Sequence, residues 1–368
     1  MSCFSARQKE VSTKPQPVER TTYDSVLVTG GAGYIGSHTV LELLEVGKHV
    51  VVVDNLSNSC EESLKRVSQI TKNNKITFYK ADVRDEVALA KIFAAHTIVS
   101  VVHFAGLKSV SESISLPLEY YSVNVTGTGV LLKTMKTHGC SKIVFSSSAT
   151  VYGQPQYIPL TESHPLGPIN PYGRSKYMAE LVIEDFCAAN PTFQGVALRY
   201  FNPIGAHSSG LIGEDPAGIP NNLVPYVTQV MTGKLPHLNV FGTDYETKDG
   251  SGVRDFIHVV DLAQGHVAAL KHLEDVDGGF RVYNMGTGNG YSVLEIVKAM
   301  EQVSGLTIKM EMKGRREGDA GEVVASPDKA NNALKWAANR TIVDMCETSW
   351  RWQKGNPDGY GYTVAHNA

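Results

Sequence analysis

Thr29-Gly30-Gly31-Ala32-Gly33-Tyr34-Ile35-Gly36 (TGGAGYIG) places four glycines between two unlike patterns. Upstream, Ser25–Thr29 (SVLVT) reads as a buried strand, and downstream the residues from Gly33 to Glu45 follow a helical pattern. The glycines satisfy G-x-G-x-x-G at Gly31, Gly33 and Gly36, and G-x-x-G-x-x-G at Gly30, Gly33 and Gly36. Residues without Cβ let a backbone turn tightly and approach a pyrophosphate. The helix that follows then offers free N–H groups and a positive dipole end to the phosphates.

The next strand supports that reading. Val50–Val53 is a continuous apolar run, as expected of a parallel strand covered on both faces, and it ends at Asp54. A carboxylate there accepts hydrogen bonds from both hydroxyls of a ribose and repels a 2′-phosphate. No Arg or Lys follows in Asn55-Leu56-Ser57-Asn58, so the expected cofactor is NAD rather than NADP. Asp82-Val83 lies just beyond the next strand, Ile76–Tyr79, where it would meet adenine. Phe104-Ala105-Gly106 ends the strand after that, with Lys108 close behind. Strand C-termini rim the ligand crevice of a doubly wound sheet.

Further outward, the alternation continues. Residues 85–96 are helical in pattern, Ile98–Phe104 is a strand, 118–137 a long helix, Lys142–Ser146 a strand, Lys176–Ala188 a helix and Gly195–Tyr200 a strand. This predicts an α/β fold, a doubly wound parallel sheet of Rossmann type over 24–200. From about 201 the pattern weakens, and loops rich in Gly, Pro and Asn dominate 202–255. A smaller, interleaved C-terminal substrate domain is expected over 201–362, with 255–290 returning to the first domain. Residues 1–23 are polar, contain Pro15 and Pro17, lack the apolar run of a signal peptide and read as a disordered extension.

The composition excludes several classes. A net charge of −3 with no long basic run argues against a nucleic-acid partner, and no apolar window is long enough to span a membrane. Five scattered cysteines without a CxxC suggest reduced thiols and a cytoplasmic location. The twelve histidines show no metal-ligand spacing, so no metal is expected, and His103 and His258 are taken as structural.

The chemistry is written in two further stretches. Ser146-Ser147-Ser148-Ala149-Thr150 follows a strand, and Asn170-Pro171-Tyr172-Gly173-Arg174-Ser175-Lys176 sets a phenol and an ammonium one helical turn apart. A free tyrosine, with a pKa near ~10, is only about 0.1% phenolate at neutral pH, and lowering that pKa to about 7 needs ~4 kcal/mol. A cation one turn away and the positive nicotinamide of bound NAD would supply it. Phenolate and serine hydroxyl would then share the proton of a substrate alcohol during hydride transfer.

TGGAGYIG, SSSATVYG, NPYGRSK, LRYFNP and GVRDFIHVVDL together resemble the extended short-chain dehydrogenase/reductase superfamily and, within it, the UDP-glucose (UDP-galactose) 4-epimerases, over roughly residues 24–360. The resemblance implies a tightly held NAD, a UDP-hexose substrate and a homodimer built on paired helices. It implies that Ser148 and Tyr172 handle the 4-hydroxyl proton while Lys176 tunes the phenol and holds the nicotinamide ribose. Tyr34, Ile35, Asn124 and Tyr200 join the implied cofactor contacts. Lys108, Tyr200-Phe201-Asn202, Asn221-Asn222-Leu223 and Asn239-Val240-Phe241 join the implied UDP-sugar contacts. Arg315-Arg316-Glu317-Gly318-Asp319 alone reads as a solvated charged loop; the resemblance instead puts Arg316, with Arg254, on the diphosphate and Asp319 on the uridine ribose.

Related dehydratases carry acidic residues just after the catalytic serine or threonine, to remove a C5 proton. Here Ala149 and Thr150 stand there, and neither is an acid or base of useful pKa. The expectation is therefore interconversion of UDP-galactose and UDP-glucose through a 4-keto sugar. Val323 occupies a position where family members with a tyrosine close the sugar pocket, so UDP-GlcNAc and UDP-GalNAc are expected to fit as well. The alternatives are a UDP-sugar dehydrogenase or dehydratase with net redox or elimination chemistry, and a non-catalytic NAD-sensing protein.

Overall fold

The computed structural model describes residues 20–316 and 318–361. Strands β1 (Asp24–Thr29), β2 (His49–Asp54), β3 (Ile76–Lys80), β4 (Thr97–His103), β5 (Lys142–Ser148) and β6 (Gln194–Tyr200) alternate with helices α1 (Tyr34–Glu45), α2 (Glu62–Thr71), α3 (Glu86–Ala95), α4 (Val110–Ser115), α5 (Pro117–Tyr121), α6 (Gly127–Thr137) and α7 (Pro171–Ala189). Beyond them come β7 (Asn202–Ile204), α8 (Leu223–Met231), β8 (Leu238–Phe241), β9 (Val253–His258), α9 (Val259–Asp275), β10 (Gly279–Met285), β11 (Gly290–Ser292), α10 (Val293–Ser304), β12 (Met310–Lys313), β13 (Glu322–Val323), α11 (Asp328–Leu334) and α12 (Ile342–Gly355).

Seven strands form one parallel sheet in the order β10-β6-β5-β4-β1-β2-β3. The order reverses between β1 and β4, and that switch point opens a crevice at the strand C-termini. The valine run of β2 shows how the sheet is held. Val50 and Val52 pack into the layer of α1 and α9, whereas Val51 and Val53 pack into the layer of α3, α6 and α7. Burying each such side chain is worth roughly 1.5–3 kcal/mol.

The late part of the chain departs from the sequence reading of 202–255 as loop. It contains α8 and three strands, and α8, β8, α10 and α12 share a separate apolar core. Pro225 lies in the first turn of α8, where a missing N–H costs nothing, so it does not interrupt the helix. Both α9 and β10 return to the large sheet. The expected single helix over 118–137 is also broken: a π-helical turn, Ser122–Thr126, separates α5 from α6.

Of the expected disordered extension, residues 1–19 lie outside the described residues. Arg20–Tyr23 are not disordered. Arg20 Nε donates to the His96 carbonyl at 3.3 Å, Thr21 N to the Ala95 carbonyl at 3.0 Å, and the Tyr23 ring stacks on His49. No helix among the described residues is long and apolar enough to cross a membrane.

Candidate functional site

The glycine turn is built against the end of β4. Gly30 has φ +69°, and a Cβ placed on it would lie 2.6 Å from the Ala105 nitrogen. A Cβ on Gly36 would lie 2.2 Å from the Gly30 carbonyl oxygen. Any side chain at either position would displace backbone. Gly33 caps α1 without a side-chain bond, leaving the first-turn amides, with Tyr34 and Ile35, open at the crevice.

Asp54 ends β2 almost fully buried. Its Oδ2 accepts from Ala32 N at 3.0 Å, and its Oδ1 accepts from Leu56 N at 2.9 Å and Ser59 Oγ at 2.7 Å. The carboxylate is thereby fixed beside the glycine turn. Leu56 adopts a left-handed conformation (φ 59°) that reverses the chain through Ser57 and Asn58. Asp82 is already engaged: Arg84 grips both its oxygens at 2.9 Å, Asn55 Nδ2 donates at 3.2 Å, and Arg84 holds its carboxyl down at about 2. Val83 is buried under Gly127. His103 lies between Thr29 Oγ1 (2.6 Å) and Thr128 Oγ1 (3.0 Å), and burial pushes its pKa down to about 3.

Asn124, on the π-helical turn, ties the turn after β4 to α7. Its Oδ1 accepts from Leu107 N at 2.8 Å. Its Nδ2 donates to the Leu107 carbonyl at 3.1 Å and to Ser175 Oγ at 2.8 Å. Its amide protons are thus taken within the protein, and it holds the turn carrying Phe104, Ala105, Gly106 and Lys108. Single-turn π-bulges of this kind recur at functional sites.

The acid–base residues come from β5 and α7. Ser148 ends β5, and its Oγ accepts from Thr150 N at 3.2 Å and Thr150 Oγ1 at 2.9 Å, through a short turn that also contains Ala149. Asn170 caps α7 by accepting from Gly173 N at 2.8 Å, which places Tyr172 in the first turn. The Tyr172 ring meets Tyr120 edge-on at 6.4 Å. Burial holds the phenol above its ordinary range, opposed by the Ser148 hydroxyl and by the Lys108 charge.

Lys108 adds a second ammonium to the site, its charge opposing the burial of the Tyr172 phenol. Lys176 Nζ turns inward, donates to the Ser146 carbonyl at 2.7 Å and sits 5.0 Å over the Phe145 ring. Burial brings Lys176 down to about 8, with Glu180 opposing the shift. Tyr200, at the end of β6, hydrogen-bonds His266 through its hydroxyl, so that group faces into the protein.

Sequence reasoning missed Glu180, Arg199 and Glu214. Glu180 had a signal, because Tyr172, Lys176 and Glu180 recur every four residues on one helix face. Arg199 and Glu214 are placed by tertiary contacts that no local pattern reports.

A second set of residues lies on the late elements. Arg254 Nη2 approaches Asp319 Oδ1 at 3.6 Å, and Arg316 Nε donates to Asp319 Oδ2 at 2.9 Å. The Arg316 guanidinium stacks 4.9 Å over Phe241. On the same strand, Asn239 Oδ1 is buried with no hydrogen-bond partner, and Val240 is buried in the core. Asn221 donates to Ser109 Oγ at 3.2 Å and Asn222 to Glu214 Oε1 at 3.0 Å, just before Leu223 begins α8. Phe201 is buried with Tyr152 and Leu160, and Val323 packs on that cluster. Asn202 opens β7, which pairs with β9. Glu317 lies outside the described residues. Among the described residues no group of three or more acidic, His or Cys side chains is placed to hold a metal ion.

A family model described as GDP-mannose 4,6 dehydratase matches residues 27–349. The chain is similar to the UDP-glucose 4-epimerase of Homo sapiens, 56% identical over 345 residues, covering 92% of this chain and 99% of that protein. It is similar to the crystal structure of UDP-glucose 4-epimerase from Bifidobacterium longum in complex with NAD+ and UDP (TM-score 0.88, 52% identity, covering 91% of this chain and 99% of that one). It is also similar to the UDP-Glc/GlcNAc 4-epimerase of Campylobacter jejuni (TM-score 0.79, 37% identity, covering 90% and 100%).

Proposed function

This chain belongs to the UDP-glucose 4-epimerase family of extended short-chain dehydrogenases/reductases, and from that premise we propose that it interconverts UDP-galactose and UDP-glucose with NAD as its resident cofactor. What supports the reading is that Ser148 ends β5 with its hydroxyl bearing on the Tyr172 phenol in the first turn of α7, while Lys176 from the same helix reaches the Ser146 carbonyl of β5. The residues around the crevice fit NAD. The glycines are those a Cβ would block, the α1 amides are uncapped, and Asp54 is fixed where a ribose diol would reach it. Bound NAD supplies the hydride acceptor and donor for C4 of the hexose.

The chain's own residues do the remaining work. Ser148 Oγ and the Tyr172 phenol take the 4-hydroxyl proton and return it, the serine holding the sugar oxygen while the phenol carries the proton. Lys176 is charged and desolvated below them. It bonds the Ser146 carbonyl and would hold a ribose hydroxyl of the cofactor. Arg254 and Arg316 converge on Asp319, forming a cationic pair ready for a diphosphate and a carboxylate ready for a ribose. Asn239 Oδ1, buried and unpartnered, suits the imide N–H of a uracil. A nucleotide held by these groups would leave the hexose free to turn over as the 4-keto sugar between its two faces.

Dehydratase chemistry, which the name of the family model suggests, needs a base beside C5. The short turn after Ser148 offers Ala149 and Thr150, and the Thr150 hydroxyl is spent on Ser148. Incubation with UDP-galactose tests the reading. UDP-glucose should accumulate to equilibrium without a matching rise in reduced-nicotinamide absorbance. One reduced cofactor per sugar would make the protein a dehydrogenase instead.

The substrate range extends to N-acetylated sugars. Val323, partly buried against the Phe201 cluster, is smaller than the tyrosine that would close the pocket there, which supports room for a 2-acetamido group. UDP-GalNAc should be converted by the wild type, and Val323→Tyr should reduce that rate at least ~10-fold while sparing UDP-galactose, in line with the 1–3 kcal/mol that a pocket's fit to one small group is worth. Product analysis with the two sugars separately decides it, and equal rates for both proteins on UDP-GalNAc would refute the role of Val323.

Two further readings complete the proposal. Apolar side chains Ile114, Leu116 and Leu118 beside α4 and α5, and Met178 and Leu181 on α7, are exposed. This supports a homodimer formed through those helices. Cys60, Cys140, Cys187 and Cys346 are free thiols, which supports the cytoplasm.

A further inference from the structure

Glu214 has no part in the mechanism above, yet its carboxylate is nearly buried and faces a working residue. It pairs with Lys108 at 2.9 Å, and the two side chains differ sharply in exposure, 9% for Glu214 against 56% for Lys108. A carboxylate that buried belongs to a built arrangement rather than to a solvated surface pair. Asn222 Nδ2 donates to the same Oε1 at 3.0 Å, and the Glu214 backbone carbonyl accepts from Trp352 Nε1 at 3.0 Å. One residue beyond Lys108, Ser109 Oγ accepts from Asn221 Nδ2 at 3.2 Å. The segment before α8 is therefore fastened at two adjacent points to the turn after β4.

That turn is itself part of the wall around Tyr172. Ser109 N donates to Tyr120 Oη at 2.9 Å, and the Tyr120 ring is the one that meets Tyr172 edge-on. A Cβ on Gly106 would lie 3.6 Å from Lys176 Nζ. The groups that bear on Tyr172 are Lys108 from the turn, Ser148 from β5, Tyr200 from β6 and the Tyr120 ring from α5, while Lys176 lies one turn along the same helix. Glu112 bonds the far side of Tyr120 at 2.7 Å. Glu214 itself faces Lys108, Asn222 and, from α1, Tyr34.

We propose that Glu214 is a positioning residue for the reaction: it anchors the Lys108 ammonium on the turn whose next residue, Ser109, holds the Tyr120 wall of Tyr172, and thereby sets the charge presented to the phenol. The proposal rests on the 4-epimerase reading and adds to it a residue outside the Ser148, Tyr172 and Lys176 set. Lys108 favours the phenolate, and the Glu214 charge is the largest influence on Lys108.

The direction of change separates anchoring from charge alone. If Glu214 anchors Lys108, its loss lets a long, half-exposed side chain swing into water, and Tyr172 keeps its proton to higher pH. If Lys108 stayed in place without Glu214, removing the carboxylate would leave its positive charge unbalanced, and Tyr172 would lose its proton at lower pH.

The test uses the NAD-loaded protein. Tyr172 is titrated by phenolate absorbance, each variant being measured against the same background carrying Tyr172→Phe. Glu214→Ala is expected to raise the Tyr172 midpoint by about one pH unit, a ~10-fold change in proton affinity. Lys108→Met should do the same, and Lys108→Met combined with Glu214→Ala should match Lys108→Met alone, the signature of two residues acting as one unit. A midpoint that stays put, falls, or rises additively in the double variant overturns the proposal. Should Glu214→Ala lose its cofactor, Glu214→Gln gives the answer: it keeps a hydrogen-bond acceptor for Lys108 while removing the charge, so the midpoint should fall, and an unchanged or raised midpoint overturns the proposal. Conversion of UDP-galactose by the wild type is measured alongside. Its absence would remove the epimerase reading and leave the titration to judge the Lys108–Glu214 pair.

Discussion

Tyr172→Phe is expected to lower turnover of UDP-galactose by about 10²–10⁴-fold, the usual contribution of a positioned acid–base group, with the affinity for UDP unchanged. The substitution removes one oxygen and little else. The ring keeps its edge-on contact with Tyr120, and the cap that starts α7 is made by Asn170 and Gly173, not by the phenol. The proposed nucleotide contacts lie on Arg254, Arg316 and Asp319, in a different part of the chain. What disappears is the group proposed to carry the proton between the sugar and the protein, while Ser148 remains as a hydrogen-bond partner. The measurements are kcat with UDP-galactose and Kd for UDP by calorimetry. Turnover within a few-fold of wild type would take Tyr172 out of the mechanism, and a loss confined to UDP affinity would make it a binding residue.

Arg199→Met is expected to lower the unfolding free energy by about 3–5 kcal/mol, the scale seen when one member of a buried ion pair is removed. Arg199 and Glu180 are 4% and 3% exposed, and they share two hydrogen bonds, Nε to Oε1 at 3.0 Å and Nη2 to Oε2 at 2.7 Å. Arg199 Nη1 also donates to Tyr152 Oη at 3.1 Å, which in turn donates to Asn284 Oδ1 at 2.6 Å, and Ser147 Oγ donates to Glu180. Methionine fills much of the volume but leaves Glu180 as a buried charge with Ser147 as its remaining side-chain hydrogen-bond donor and the Lys176 charge nearby. Adding Glu180→Leu should recover much of the loss, because a well-packed apolar pair avoids the desolvation cost. Urea unfolding of the two single variants and the double variant measures this. Equal stability of Arg199→Met and wild type would mean that water reaches the pair.

The parts of the molecule that could be read from the sequence are those fixed by neighbours in the chain. The glycine turn shows because Gly30 and Gly36 are required by backbone contacts within a few residues or at the adjacent strand. The β2 strand shows because four valines in a row have no other reading at that length. Tyr172 and Lys176 show because helical spacing alone brings them to one face, although where the ammonium points depends on the Ser146 carbonyl. What stayed hidden depends on distant partners. The strands β7, β8, β12 and β13 are two to four residues long, too short for a period to register, and each is held only by pairing across the late part of the chain. The π-helical turn follows from Asn124 reaching Leu107 and Ser175, contacts with no local trace. Glu214 sat in a stretch read as loop, with nothing to mark it apart from an ordinary surface acid.

The return of α9 and β10 to the large sheet also governs how the protein can break. A chain cut after Tyr200 would keep the glycine turn, Asp54, Ser148, Tyr172 and Lys176, yet β6 would become a raw sheet edge with its partner missing, and α1 would lose the helix against which it packs. Such a fragment invites strand addition by a second copy rather than independent folding. Cofactor cradle and sugar pocket are thus not separable modules that gene fusion or proteolysis can exchange. They form together, and damage to either is felt by both.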